Sequence, residues 1–314
     1  MNKYFPFELH CHTYCSDGSM SPAQLIDNAK SRGLAGIGIT DHNTYSAISE
    51  LQAIAQKDDF VLLKGIEWTT FWGHFTAFGA ESIDWRELNC GNINQMLARA
   101  KESGALVSIA HPFRLGAPVC SGCRMEYPIT DYHNIDGYEI MSGPFPYKQI
   151  FNANAIAEYD RLLAQGYKIA ALYGYDWHTP DKGFCYGATY LPAKAAQEAL
   201  NAIRAQNTFV SLGLHLCVRI DNRQVAFGSA IDSGEHYIEV QVDKDILPLC
   251  KKFEIEPKEI IVRNNQHIYR TSIKENAIRV VLQTGYFRIE VRGSINGDMD
   301  ALLASTSPIY IKGD

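Results

Sequence analysis

From residue 1 to about residue 212, short apolar runs end again and again in histidine or a carboxylate. Phe5–His10 closes on His10, with His12 two residues on. Gly36–Thr40 is followed by Asp41 and His42. Phe60–Glu67 ends in Glu67, Leu106–Ala110 runs into His111, and Ile169–Tyr175 runs into Asp176 with His178 beyond. Gly73–Gly79, Gly137–Met141 and Ala188–Leu191 are further strand-like runs. Helix-like text lies between. Ser21-Pro22 opens one helix towards Gly33, the serine as cap and the proline at the first helical position. Asn43 to about Lys57, Asn92–Ser103, the stretch near Ala153–Gln165, and Ala193–Gln206 read as others. Repeating strand–helix units predict a parallel sheet. Several strands delivering reactive groups at their C-terminal ends is what the active face of a barrel requires, whereas a doubly wound sheet gathers its site around one switch point. The expected fold class is therefore α/β, with a (β/α) barrel over residues 1–212.

After residue 212 the pattern changes to short alternating runs: His215–Ile220, Tyr237–Val242, Ile260–Arg263, Ile278–Leu282, Phe287–Val291 and Ile309–Ile311. Turn pairs such as Asp221-Asn222, Ser233-Gly234, Asn264-Asn265 and Asn296-Gly297 separate them. That spacing predicts a small all-β sandwich domain over residues 213–314. No internal repeat or low-complexity segment interrupts either part.

Composition matters here for what it excludes. The net charge of −6 over 314 residues gives no electrostatic reason to expect a nucleic-acid backbone as partner. No apolar run approaches the roughly 20 residues that cross a bilayer, and the N-terminus lacks a signal peptide's pattern. The expected location is cytoplasmic. Eight cysteines scattered through the chain suit reduced, structural thiols better than a disulfide framework.

The chemistry begins with His10-Cys11-His12. Residues i and i+2 of a strand point to one side, so two imidazoles can meet one cation. Asp176-Trp177-His178 repeats the arrangement with a carboxylate and an imidazole. Each pair alone is a weak sign, more often surface or hydrogen-bonded side chains than a metal site; the combination is what points to metal. Mixed His, Asp and Glu ligands without thiolates suit Zn, Mn or Fe. Glu67, at the end of an apolar strand, must pair or bind metal to offset its desolvation. His111, held before Pro112, is left at the rim, and His74 stands at the start of a strand. Asp41 faces away from His42 if the strand continues, which makes it a supporting residue. Glu139 ends another strand as a supporting residue or a substrate contact. Trp68, Phe71, Trp72, Phe113 and Trp177 could line a pocket, although aromatics are more often core. Cys120-Ser121-Gly122-Cys123 reads as a loop near the mouth of the site. No second thiol pair follows to complete a zinc site.

These residues also carry a resemblance. His10-Cys11-His12, Ser16-Asp17-Gly18, Ile39-Thr40-Asp41-His42-Asn43, Gly65-Ile66-Glu67, Ala110-His111-Pro112 and Asp176-Trp177-His178 resemble, in order, the motifs of the PHP (polymerase and histidinol phosphatase) superfamily, over roughly residues 5–190. The resemblance implies a distorted seven-stranded (β/α) barrel holding two or three divalent metal ions. It places His10, His12, Glu67 and Asp176 on one metal, Glu67 with His74 and His111 on a second, and Asp17, His42 and His178 on a third. At residue 17 members of the family carry histidine or aspartate; the aspartate here makes the third site more oxygen-rich.

Paired cations can activate a bridging water, giving a hydroxide nucleophile, and hold the oxygens of a phosphoryl group in line. No nucleophile elbow or P-loop pattern offers a competing mechanism. Arg114, three residues past His111, could hold a phosphate oxygen bidentately or sit in an ordinary salt bridge. The expected function is a metal-dependent phosphoesterase acting on a small phosphorylated metabolite or nucleotide. Two alternatives stand beside it. Phe209-Val210-Ser211 and Ser307-Pro308-Ile309-Tyr310 resemble the PHP subgroup named for a carbamate-ester hydrolase, so the same metals could serve a carboxylic or carbamate ester. The domain could also be a non-catalytic binding module. A nuclease is disfavoured by the acidic balance, and the oligomeric state is left open.

Overall fold

In the computed structural model the described residues are 3–122, 124–180, 183–244, 247–248, 250–264 and 266–313. The expected series of elements is present. β1 (Phe5–Cys11), α1 (Pro22–Ser31), β2 (Gly36–Ile39), α2 (Ile48–Lys57), β3 (Val61–Thr70), β4 (Gly73–Phe78), α3 (Ile93–Glu102), β5 (Leu106–Ile109), β6 (Gly137–Ser142), α4 (Ile150–Ala164), β7 (Ala170–Gly174), β8 (Ala188–Leu191), α5 (Ala196–Arg204) and β9 (Phe209–Ser211) follow one another. Ser21 starts α1 as expected: its hydroxyl accepts from the Gln24 amide and the Gln24 side chain accepts from the Ser21 amide. No helix among the described residues is long and apolar enough to cross a membrane.

The strands lie in the order β9-β8-β1-β2-β3-β4-β5-β6-β7. β1, β2 and β3 are parallel, as are β5, β6 and β7. The expectation of a parallel sheet needs correction at β8, which is antiparallel to β1 and β9, and at β4, which is antiparallel to both neighbours. The reason at β4 is chain length: Phe71-Trp72 is enough for a hairpin and far too short for a crossover. β3 accordingly runs past Glu67 to Thr70, so Glu67 lies within the strand. α2 begins at Ile48 instead of near Asn43. Asn43 has a φ of 55° and uses its amide group on both backbone atoms of Thr69, at 2.9 and 2.8 Å.

The sheet curls until β7 returns to β1. The His12 amide donates to the Trp177 carbonyl at 2.9 Å and the Trp177 amide to the His10 carbonyl at 3.0 Å. Cys11 and Trp177 thus form an isolated parallel bridge instead of a full ladder.

Beyond β9 the expected alternating runs are strands, but the short pairs Arg223–Gln224 and Ala230–Ile231 went unread, as did Ile268–Ser272 and Asp298–Thr306. Asp298–Thr306 is buried on both faces from Ala301 onward, which removes the alternation a strand normally shows. It pairs with β9, Ala304 opposite Ser211, so the later strands extend the first sheet. His215–Ile220, Gly234–Asp243 and Ala277–Leu282 build a separate antiparallel sheet with Arg223–Gln224.

A buried ionic junction fixes α4 to the later strands. Arg288, fully buried, grips both carboxylate oxygens of Asp160 at 2.6 and 2.8 Å and reaches Glu290 at 2.8 Å. Burial would push the Glu290 carboxyl up, but Arg288, Arg263 and Arg292 hold it below the usual range. Its contribution is therefore present above the ordinary glutamate value of about 4.3 and fades as pH falls through its lower folded value. Glu290→Gln should cost about 3 kcal/mol at pH 7, because it leaves buried guanidinium charge uncompensated. In urea titrations the gap from wild type should close as the pH falls below about 4; a pH-independent gap would refute the ionic origin.

Candidate metal centre

β1 carries the first pair. Glu8, His10 and His12 share one face by strand alternation, while Phe7 and Leu9 point the other way into an apolar cluster with Ala199 and Ile203 of α5. β3 brings Glu67 opposite, and the chain after β7 brings Asp176. His10 Nε2 and His12 Nε2 lie 3.3 and 3.5 Å from Glu67 Oε2, and 3.4 and 3.2 Å from Asp176 Oδ1. On the other side of the same carboxylate, Glu67 Oε1 faces His74 Nδ1 at 2.9 Å and His111 Nε2 at 3.2 Å. Nearer the surface, Asp17 Oδ1 lies 3.0 Å from His178 Nε2 and 3.3 Å from His42 Nε2. All nine residues singled out in the sequence are therefore brought together. They fall into three groups whose ligand atoms lie within 4.8 Å of one another: His10, His12, Glu67 and Asp176; Glu67, His74 and His111; and His12, Asp17, His42 and His178.

Most atoms at the centre lack other occupations. His10 Nε2, both ring nitrogens of His12, His42 Nε2 and Asp176 Oδ1 are buried without a hydrogen bond, while Glu67 Oε2 has His42 Nδ1 at 2.8 Å. Buried polar atoms are normally satisfied, and converging nitrogen and oxygen donors are what a cation completes. Burial is the largest influence on His12 and pushes it down to about 4. It is therefore neutral at pH 7, as a ligand must be. Burial opposes ionisation of Glu67 and Asp176, yet His10 and the neighbouring histidines hold both well below the usual carboxylate range.

A surrounding layer turns each ring. His10 Nδ1 donates to Glu139 Oε1 at 2.7 Å, His74 Nε2 to the Val119 carbonyl at 2.7 Å, and His178 Nδ1 to the Asp176 carbonyl at 2.9 Å. Each contact leaves the other ring nitrogen aimed at a carboxylate. Glu139 also accepts from the His111 amide at 2.6 Å, so it is the supporting residue the sequence suggested. Gly174 gives this carboxylate its room: a Cβ there would sit 2.1 Å from Glu139 Oε1, so any larger residue would have to displace it. Asp41 binds the Thr13 amide and the Thr13 and Ser16 hydroxyls, which fixes the loop carrying Asp17. His111 and Asp176 have φ values of 25° and 59°, backbone strain confined by these contacts.

Other expectations divide. Trp68 and Trp177 are fully buried core, whereas Phe71 and Trp72 are exposed. Arg114 donates to Asp176 Oδ2 at 2.9 Å and stays a third exposed. It lines a pocket with His74, His111, Cys120 and Arg124, so the cysteine loop does border the site. Cys123 lies outside the described residues. Cys11, Cys15, Cys90, Cys120 and Cys217 are free thiols.

The PHP domain family matches residues 8–274. The chain belongs to the PHP domain family. The match runs past residue 212 into the later strands. A 5'-3' exoribonuclease of Haemophilus influenzae is 35% identical over 66 residues, 21% of this chain and 24% of that protein. A 3',5'-nucleoside bisphosphate phosphatase of Chromobacterium violaceum is 35% identical over 70 residues, 22% of this chain and 25% of that protein. These alignments span about a quarter of each relative's length. A crystal structure from Bacteroides vulgatus, described as a two-domain protein containing a predicted PHP-like metal-dependent phosphoesterase, superimposes with a TM-score of 0.56. It does so at 16% identity, over 98% of this chain and 95% of that one. That likeness shows a shared fold over nearly the whole PHP chain.

Sequence reasoning passed over Thr69, whose hydroxyl meets His42 Nδ1, and Glu8. Glu8 left a signal: it precedes His10 by two residues on the same strand face.

Proposed function

We propose that this PHP domain is a metal-dependent phosphoesterase whose nine converging residues hold up to three divalent cations. The observation that carries the reading is Glu67, whose two oxygens face two separate histidine groups. One carboxylate spanning two groups suits a pair of neighbouring cations. His10, His12, Glu67 and Asp176 would hold one, and Glu67, His74 and His111 a second. Asp17, His42 and His178 would hold a third, nearest solvent. His12 belongs with the first, since a neutral imidazole offers one lone pair and its Nδ1 is 4.0 Å from Asp17. The nitrogen and oxygen set suits Zn, Mn or Fe. When bound, such cations supply Lewis acidity and a nucleophile at neutral pH.

The chain's own residues orient the substrate. Arg114 spends one nitrogen on Asp176, and its remaining donors border a cleft with Phe113, Leu115, Arg124, Ile150 and Phe151. A phosphoryl group on the cations would lie within reach of that guanidinium. Arg114→Ala should raise the KM for a phosphate ester about tenfold with the metal count unchanged. An unaltered KM removes Arg114 from substrate binding. For the architecture, we read the curl of β1–β7 as a distorted barrel, supported by the Cys11–Trp177 bridge, and residues 213–314 as a β-sandwich packed beside it.

The names of the relatives favour a second reading in which the phosphate sits at the end of an RNA. The expectation against nucleic acid rested on net charge, and end recognition does not need a long basic groove. A substrate panel with metal analysis tests both. It comprises para-nitrophenyl phosphate, its bis-ester, a nucleoside 3',5'-bisphosphate, a 5'-phosphorylated oligoribonucleotide and an aryl carbamate. Metal-dependent hydrolysis of the phosphate esters is the expected result. Turnover of the carbamate alone, or absence of bound metal after Mn and Zn supplementation, would overturn the proposal.

A further inference from the structure

Glu8 is fully buried, lies outside all three ligand groups, and sits one pleat below His10 in the interior of the curled sheet. Its Oε1 accepts two backbone hydrogen bonds, from the His10 amide and from the Tyr175 amide, each at 2.9 Å. The second joins strands that have no ladder between them. Among the described residues β1 and the chain after β7 are joined by the isolated Cys11–Trp177 bridge, and two residues earlier the Glu8 side-chain oxygen makes a second link, to the Tyr175 amide. Tyr175 immediately precedes Asp176, whose φ of 59° makes its placement dependent on what holds the chain before it.

Behind the carboxylate stands the buried guanidinium of Arg32, over the rings of Trp177 at 3.5 Å, Tyr186 at 4.1 Å and Tyr175 at 4.7 Å. Arg32 thus packs on both neighbours of Asp176. One oxygen of Glu8 therefore ties the backbone that carries His10 to the backbone that carries Asp176. The distances of 3.4 Å from His10 and 3.2 Å from His12 to Asp176 are set across that tie.

We infer that Glu8 is a positioning residue that sets the spacing between the β1 histidines and Asp176, and so the geometry of the cation they share. The inference rests on the proposed metal reading of the site. It acts through an acceptor at a fixed reach, so Gln, which keeps that oxygen, should replace it, whereas Leu and the shorter Asp should not.

The test loads wild type, Glu8→Gln, Glu8→Leu and Glu8→Asp with Co(II), and records cobalt per chain, affinity and the visible absorption of the bound ion. Glu8→Gln should match wild type in all three. Glu8→Leu and Glu8→Asp should bind one cobalt about 10- to 100-fold more weakly, with an altered absorption band. Glu8→Asp keeps the carboxyl group and decides the matter if Glu8→Leu does not fold. Wild-type behaviour in Glu8→Asp, or equal damage in Glu8→Gln, would overturn the positioning role. A wild type that binds no cobalt would instead overturn the metal reading itself.

Discussion

Replacing Glu67 by glutamine should remove two cations at once and lower phosphate-ester hydrolysis by about 10³-fold or more. The magnitude follows from the several kcal/mol of transition-state stabilisation that paired cations supply, at 1.36 kcal/mol per factor of ten. The reason for the double loss is geometric. Glu67 Oε2 faces His10 and His12, and Oε1 faces His74 and His111. Glutamine keeps the shape but loses the charge, and its NH₂ group presents hydrogens where one histidine group needs an acceptor. Metal content should fall from the wild-type value to the single outer group of Asp17, His42 and His178, while far-UV circular dichroism stays unchanged. Retention of the full metal count with full activity would show that Glu67 does not link the two groups. Asp17→Asn should spare the inner pair, so the two variants together separate the outer position from the bridged one.

Stripping the protein with a chelator should abolish activity and lower the melting temperature by roughly 8–16 °C. Metal present at 1,000 times its Kd stabilises by about 4 kcal/mol, and a domain of this size shifts by about 2–4 °C per kcal/mol. The interval should depend on pH with a definite sign. His10 and His42 are raised: burial works against their charge, but the carboxylates around them, Glu139 and Glu67 first, outweigh it. In the metal-free protein these raised groups stabilise fully below the unfolded histidine value of about 6.5 and lose that contribution as pH rises through their folded values. The metal needs them deprotonated, so its affinity grows over the same range. The stabilisation by metal should therefore widen from pH 6 to pH 8, and binding should release protons. Calorimetric scans at three pH values, with and without Mn(II), measure this. A pH-independent interval would show that these histidines are not ligands.

Both predictions concern residues that could be found without coordinates. His10 and His12 are two apart in a strand, and so are Asp176 and His178. The alternation of strands alone puts each pair on one face. Glu67 drew attention because a carboxylate inside an apolar run cannot be left without a partner. The alternation of strand and helix up to residue 212 likewise follows from local periodicity, caps and turns. What escaped notice had weak local signals. Asp298–Thr306 shows no alternation because it is buried on both faces from Ala301 onward, and the β3–β4 hairpin broke the expected parallel order through a two-residue turn.

By itself, then, the chain's text determined which side chains bear the chemistry, and most of the strands that present them. The resemblance had already put Glu67 with two histidine groups, and its strand end had marked Glu139 as a supporting residue. Only the tertiary structure decided which oxygen of Glu67 faces which group, that Glu139 turns the His10 ring, that Glu8 ties two backbones, and that Arg114 leans on Asp176. It also decided that the later strands join the first sheet through β9. The physical reason is the same in each case. Periodicity reports which face of an element a residue occupies, a matter of nearest neighbours in sequence. Which oxygen meets which nitrogen across residues 8, 67, 139 and 176 depends on how far the sheet curls, and that is fixed by packing between elements far apart in the chain.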